Sequence, residues 1–211
     1  MVNFMSKKEL FNEINKILLE SMKPSDDFKR LIIEGKFNKS PLNKIKQLQN
    51  IEQNLKYHPE GNVLNHIFLV IDNASKYKEF SKDKKVFMWA AFLHDIGKLT
   101  TTKIRRGKIT SYEHDVEGET ISLKILNELN DDINFNKKVS KLVRYHMQPL
   151  FYDKNLPFFK PKQLFEETDY MEVALLSLCD RLGRGNMDIY KEKEEKLKIE
   201  NFINYYKKYK K

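Results

Sequence analysis

The segment VFMWAAFLHDIGK, residues 86–98, constrains the fold of this chain more than any other. Residues 86–93 are apolar on every side, as in a helix that is buried all round. The run ends in His94 and Asp95, and burying an imidazole with a carboxylate is costly unless both have partners. A bound metal ion is the partner that satisfies both most completely. We therefore expect a buried helix that delivers two metal ligands, with other helices completing the site.

The rest of the chain is typical of helices joined by short loops. Its 211 residues include only seven glycines and six prolines, which favours an all-α domain with appendages. Residues 101–112 differ, because β-branched residues on both sides of Arg106 and Gly107 favour a short β-hairpin. Apolar spacing predicts helices at residues 7–22, 25–36, 40–54, 61–78, 83–97, 114–129, 131–147, 161–182 (broken) and 186–208.

The net charge and the expected cellular location of the protein constrain its function less than the helices do. The net charge of +9 suits a polyanionic substrate such as a nucleotide or RNA. A lysine-rich composition explains it more simply, since residues 191–211 hold eight lysines and four glutamates. The single Cys179 excludes an intrachain disulfide, no signal peptide opens the chain, and no apolar run approaches the length of a membrane span. We expect a soluble cytoplasmic protein without a membrane partner.

Four more candidate ligands lie in comparable positions. His66 lies in VLNHIFLVI, His146 follows VSKLVRY, and Asp180 follows VALLSLC, while His114 begins a predicted helix. Taken singly, each histidine is more simply a hydrogen-bonded core residue, and Asp180 has arginine partners available. Together they favour a metal site. Imidazole and carboxylate ligands without thiolates suit Mn, Fe, Co, Ni, Zn or Mg, so the ion stays open.

This ordered set resembles a known family, the HD-domain metal-dependent phosphohydrolases, through His66, His94-Asp95 and Asp180. Three segments are similar, more closely, to the HD domain of bacterial tRNA CCA-adding nucleotidyltransferases: YHPEGNVLNH at 57–66, TTKIRRGKITSYEHD at 101–115 and DRLGRG at 180–185. The resemblance covers residues 48–186. The polymerase head of those enzymes has no counterpart in residues 1–55, so nucleotide addition is not implied.

The resemblance implies an HD-domain helical bundle at residues 56–186, between an N-terminal helical extension at 1–55 and a basic C-terminal helix and tail at 187–211. It assigns His66, His94, Asp95 and Asp180 to a first divalent ion. Where two-metal members of the superfamily have additional histidines, this chain has His114 and His146, and the resemblance makes Asp95 the bridging carboxylate. One or two ions are therefore expected.

Three cations are candidates for contacting a phosphate substrate: Lys98 after the HDIG turn, Arg144 and Arg181. Lys98 is also a candidate catalytic residue together with Asp95. Each has a simpler explanation, since Lys98 can complement a helix end, Arg144 can be a surface charge, and Arg181 can brace a carboxylate. The HPEG residues His58 and Glu60 are placed outside the metal shell, as substrate contacts, proton shuttles or parts of a turn.

The predicted function is hydrolysis of a phosphomonoester or a cyclic phosphodiester in a nucleotide or an RNA end. Two alternatives stay open: a nucleotide pyrophosphohydrolase or 5′-nucleotidase on the same site, and an HD-fold module that binds a nucleotide or RNA without turnover. The basic hairpin could grip a polyanion. The aromatic loop at residues 151–159 could stack on a base, although such loops are more often anchored in the core.

Overall fold

Almost all the regular structure of this chain is helical. A computed structural model describes residues 5–185 and 187–209 and confirms the predicted all-α fold. The α-helices are α1 (Lys7–Glu20), α2 (Pro24–Ile33), α3 (Asn43–Gln47), α4 (Val63–Tyr77), α5 (Lys84–Leu93), α6 (Lys98–Thr101), α7 (His114–Leu129), α8 (Ile133–Tyr145), α9 (Gln148–Asp153), α10 (Pro161–Glu167), α11 (Tyr170–Leu182) and α12 (Ile189–Tyr209). Short 3₁₀ turns follow α3 and α4 at Leu48–Asn50 and Lys78–Phe80.

Local capping chemistry sets where several helices begin. Ser6 and Glu9 form a capping box at α1, each side chain accepting a backbone N–H of the other. Prolines occupy the first turn of α2, α9 and α10, where no intrahelical N–H is lost. At α4, α5, α8 and α11 the N-cap side chain accepts a hydrogen bond from a first-turn backbone N–H; these residues are Asn62, Asp83, Asp132 and Asp169.

The centre of the core is α5. Residues 86–93 are all buried, as the sequence predicts, and α5 packs against α1, α4, α8 and α11. The N-terminal helices join this core: Phe11 of α1 stacks on Trp89 with ring centroids 5.1 Å apart, and Phe28 of α2 stacks on Phe92 at 4.4 Å. The boundaries at residues 55 and 186 stay predictions. Residues 1–4, 186 and 210–211 lie outside the described part of the chain.

The predicted hairpin is present and short. Strand β1 (Lys103–Arg105) pairs antiparallel with β2 (Lys108–Thr110). Arg106 and Gly107 at its tip both have positive φ, 51° and 72°, as a two-residue type I′ turn requires. At its base, the hydroxyl oxygens of Thr102 and Ser111 are hydrogen-bonded at 2.8 Å.

The helices that precede His94 and His146 end earlier than the sequence predicts. The helix predicted at 83–97 ends at Leu93, and residues 94–97 form a turn that leads into α6. The helix predicted at 131–147 ends at Tyr145, which places His146 just past its last turn. The short α6 and α9 were not predicted. Within the described residues, every helix is too short or too polar to traverse a lipid bilayer.

Candidate metal centre

The six predicted ligands are carried by the ends of five helices. His94 and Asp95 follow the last turn of α5, and His146 follows α8. The first turn of α4 carries His66. His114 is the first residue of α7, and Asp180 lies in the last turn of α11. All six are buried, and four of them line one cavity of about 400 Å³: Asp95, His114, His146 and Asp180.

The carboxylate of Asp95 lies between two pairs of histidines. Its Oδ2 atom is 3.4 Å from Nε2 of His94 and 3.7 Å from Nε2 of His66. Its Oδ1 atom is 3.3 Å from Nε2 of His114 and 3.9 Å from Nε2 of His146. The ligand atoms therefore form two groups that share Asp95, one with His66 and His94 and one with His114 and His146.

Backbone contacts fix which ring nitrogen faces Asp95. The Nδ1 atoms of His94, His114 and His146 lie 2.7–2.9 Å from the carbonyl oxygens of the residues three positions earlier. A carbonyl oxygen only accepts, so Nδ1 donates, and in the neutral ring Nε2 carries the free lone pair. A lone pair on Nε2 is what a metal ligand must present.

Burial keeps two of these rings neutral. It lowers the pKa of His114, and together with the neighbouring His114 and His94 it lowers the pKa of His146 to about 3. Both histidines are therefore in the ligand form at neutral pH.

Unpaired buried atoms test whether a metal fits here. Among the described residues, Nε2 of His94 and Nε2 of His114 are buried without a hydrogen-bond partner. Leaving one such nitrogen without a partner costs about 1–3 kcal/mol. Two of them beside one carboxylate are therefore unexpected in a protein core unless a ligand contacts them. Nitrogen and carboxylate donors without thiolate suit a divalent ion. The residues present therefore fit one ion in each group.

Glu60, placed outside the shell by the sequence analysis, positions a predicted ligand. Its Oε1 atom accepts hydrogen bonds from Nδ1 of His66 at 2.8 Å and Nδ1 of His58 at 2.9 Å. On its other side, His66 Nε2 is 2.9 Å from Asp180 Oδ1. Although burial opposes it, contact with Asp180 and Glu60 raises the pKa of His66. A carboxylate on the far nitrogen of a ligand histidine orients the ring and increases its basicity.

Lys98 extends into the same cavity. Its Nζ atom donates to Asp95 Oδ2 at 2.7 Å and to Gln53 Oε1 at 2.8 Å. Burial would raise the pKa of Asp95, but the Lys98 ammonium together with His94 and His114 outweighs burial and holds that pKa well below its usual range. The site thus keeps an ionised carboxylate next to a buried cation.

Neither predicted arginine lines this cavity. Arg181 is buried and pairs with Glu195 of α12. Arg144 donates to Asp115 Oδ2 at 2.5 Å and faces a neighbouring pocket. Arg184 does line the cavity, and its Nε atom is buried without a partner among the described residues. Of Arg144, Arg181 and Arg184, only Arg184 lines this cavity, and the phosphate contacts stay predictions.

Arg184 lies just past the end of α11, after Gly183 caps the helix. Its place in the cavity wall depends on the path of the chain beyond Leu182, which helical periodicity does not describe.

Comparison with known families agrees with this geometry. The family model of the HD domain matches residues 63–185, more than half of the chain, and this range contains the six predicted ligands. The chain belongs to the HD-domain family. HD domains bind divalent metals and are generally metal-dependent hydrolases, and the histidine and aspartate groups here can hold such an ion. No curated protein matches this sequence. The individual ligand roles stay predictions.

Proposed function

We propose that this HD-domain protein is a metal-dependent phosphohydrolase that acts on a phosphomonoester or a cyclic phosphodiester of a nucleotide or an RNA end. The observation that carries the proposal is the carboxylate of Asp95, whose two oxygens each face a separate pair of histidine Nε2 atoms. In this proposal His66, His94, Asp95 and Asp180 hold a first ion, and Asp95, His114 and His146 hold a second. Divalent ions in such a site lower the pKa of water and neutralise phosphoryl oxygens.

The remaining task of the chain is to position the phosphate. Lys98 and Arg184 supply positive charge in the cavity that contains Asp95. An arginine suits this role because its planar fork matches two phosphate oxygens at once. Lys98 is held by Asp95 and Gln53, so its ammonium needs little reorganisation before it stabilises developing negative charge.

Two features support a nucleotide or RNA end as the substrate. The three segments that resemble the HD domain of CCA-adding nucleotidyltransferases each contribute to the cavity wall, through His58, Ser111 and Arg184 among others. The hairpin whose last residues border this wall also exposes four cations, which suits a polyanion. They are Lys103, Arg105, Arg106 and Lys108.

Replacing the shared carboxylate tests the proposal. Asp95→Asn keeps the shape of the side chain but removes the charge that both groups use, so the variant is expected to lose nearly all bound metal and turnover. Asp131→Asn is the matched control, because Asp131 is exposed and does not line the metal cavity, and it should behave as wild type. Metal content is measured by elemental analysis. Turnover is measured on 2′,3′-cyclic nucleotides, nucleoside monophosphates and dinucleoside polyphosphates, with several divalent ions.

The two ligand groups can be tested separately. His146→Ala is expected to retain about one equivalent of metal and to lose most turnover, whereas His94→Ala should lose the first ion. Wild-type turnover that survives chelation, or an Asp95→Asn variant with normal metal and activity, would refute the proposal.

A further inference from the structure

A second cavity opens beside the candidate metal centre. It measures about 500 Å³, a size suited to a small organic ligand. The two cavities share Ser111, His114 and Met147 in their walls, so they are neighbouring compartments of one depression. We name the second one the apolar chamber and define it by the apolar side chains that line it: Tyr112, Val116, Met147, Phe151, Leu156 and Phe158.

Two exposed aromatic rings line this chamber. Phe158 is 57% exposed and Tyr112 is 62% exposed, and both face the same cavity from different segments of the chain. Val116 and Leu156 add two more exposed apolar side chains to its walls. Burying a fully exposed side chain such as phenylalanine is favourable by about 1.5–3 kcal/mol. A contiguous patch of exposed apolar side chains therefore marks a binding surface.

Neighbouring side chains hold both rings. Phe158 meets Phe151 edge to face with ring centroids 5.6 Å apart. The Arg105 guanidinium lies 4.8 Å from the ring centroid of Tyr112. Rings that are already positioned lose little conformational freedom when a flat ligand stacks on them.

Two of the four Asp, Glu, Lys and Arg side chains at the chamber neutralise each other, because Arg144 is paired with Asp115. Most of the remaining wall is apolar. A phosphate would therefore favour the metal cavity, with Lys98 and Arg184, over the chamber. An apolar ring attached to that phosphate would favour the chamber.

We propose that the apolar chamber binds the nucleobase of a nucleotide whose phosphate lies in the metal cavity. This inference rests on the proposed function and specifies its substrate class. Stacking on aromatic side chains contributes about 1–3 kcal/mol per base and tolerates different bases, so the chamber selects for a base without selecting one base strongly.

Matched substrates test the proposal in the metal-loaded protein. The 5′- and 3′-phosphates of adenosine are compared with the corresponding phosphates of methyl riboside, which lack the base. Phe158→Ala is expected to lower kcat/KM for the adenosine phosphates at least about fivefold and to leave the methyl riboside phosphates unchanged. Phe158 is exposed, so its removal should not impair folding. Phe80→Ala, at a 76% exposed phenylalanine outside the chamber, is the control and should change neither.

Saturation-transfer NMR with adenosine gives a readout that needs no turnover. Transfer from the protein to the base protons should be clear in the wild type and in Phe80→Ala, and weak in Phe158→Ala. Equal loss of turnover on both substrate types in Phe158→Ala would overturn the chamber proposal, as would base-proton transfer that the substitution leaves unchanged. Absence of turnover on every ester would overturn the proposed function, while the NMR result would still decide the chamber.

Discussion

At the scale of single residues, two arginines three positions apart in sequence have different surroundings. Arg184 lines the metal cavity, and Arg181 is buried against Glu195 of α12. Arg181 lies in the last turn of α11, where it meets α12, whereas Arg184 follows the Gly183 cap and lies outside the helix. Arg184 therefore lies at the cavity, and Arg181 connects α11 with α12.

Paired substitutions separate these roles. Arg184→Ala is expected to raise KM for the best phosphate substrate about tenfold or more, because a charge-assisted contact is lost, while the urea midpoint stays unchanged. Arg184→Lys should restore part of the affinity. Arg181→Ala should lower the urea midpoint and leave KM unchanged. The opposite pattern, with KM sensitive to Arg181 and not to Arg184, would contradict the assignment.

The sequence points to the candidate ligands but not to the side chains that contact them. Histidine and aspartate at the ends of apolar stretches are conspicuous, because burial of such groups needs an explanation. The contact between Glu60 and His66 depends on how the turn at 58–61 folds back, which periodicity does not describe. The pairing of Arg181 with Glu195 depends in the same way on where α12 lies.

At the scale of elements, the turn after α5 is packed directly on the backbone of α7. A Cβ atom at Gly97 would lie 2.0 Å from the carbonyl oxygen of His114 and 2.6 Å from the backbone nitrogen of Gly118. No side chain fits between them. This close approach brings His114 next to Asp95. The distance between the two ligand groups therefore depends on Gly97, which is not itself a candidate ligand.

Substitution of this glycine should therefore affect both the fold and the site. Gly97→Ala is expected to lower the free energy of unfolding by about 1–3 kcal/mol through overpacking, and to weaken metal binding at the His114 group. Gly118→Ala is the matched control: its Cβ would meet the Val143 side chain at 3.0 Å and the Gly97 and His94 backbone at the ordinary distances of 3.6 and 3.7 Å, and alanine favours a helix. Urea denaturation and metal titration measure the two effects. Equal stability of Gly97→Ala and wild type would argue against the packing account.

Helix bodies were predicted more successfully than helix ends. Three-and-four apolar spacing located α1, α4, α7 and α8, since their buried faces are long enough to show the period. The four-residue α6 and six-residue α9 span too few turns to show it. Ends depend on contacts with other elements, and the end of α5 at Leu93 is the case that matters for the site.

At the scale of the whole molecule, α12 packs on α11 and α9, and Glu195 forms one of its charged contacts. Burial would raise the pKa of Glu195, but contacts with Lys198 and Arg181 outweigh it and hold that pKa below its ordinary value of 4.5. A carboxylate whose pKa is lower in the folded state than in the unfolded state stabilises the fold at pH values above its unfolded-state pKa. The contribution is lost as the pH falls.

Glu195→Gln tests this dependence. At pH 7 the variant should be less stable than the wild type, because it leaves the buried Arg181 without a charged partner. The difference should shrink as the pH falls from about 5 towards 3, where the wild-type glutamate is protonated as well. Urea denaturation at each pH measures it. Glu194→Gln, at a side chain 63% exposed, is the control and should be as stable as wild type at every pH. A loss of stability in Glu195→Gln that does not change with pH would rule out a charge effect.

The contact between His66 and Asp180 joins side chains 114 residues apart. A ribosome therefore makes the two halves of the site at different times. Asp95, His114 and His146 have all been synthesised 34 residues before Asp180, a delay of roughly 2–7 s at ordinary elongation rates. During that interval His66 has no acidic partner from α11, and α4 and α5 lack the helix that packs against both. The histidine group on Asp95 Oδ1 is thus available to the nascent chain first, and the group that needs Asp180 is completed last.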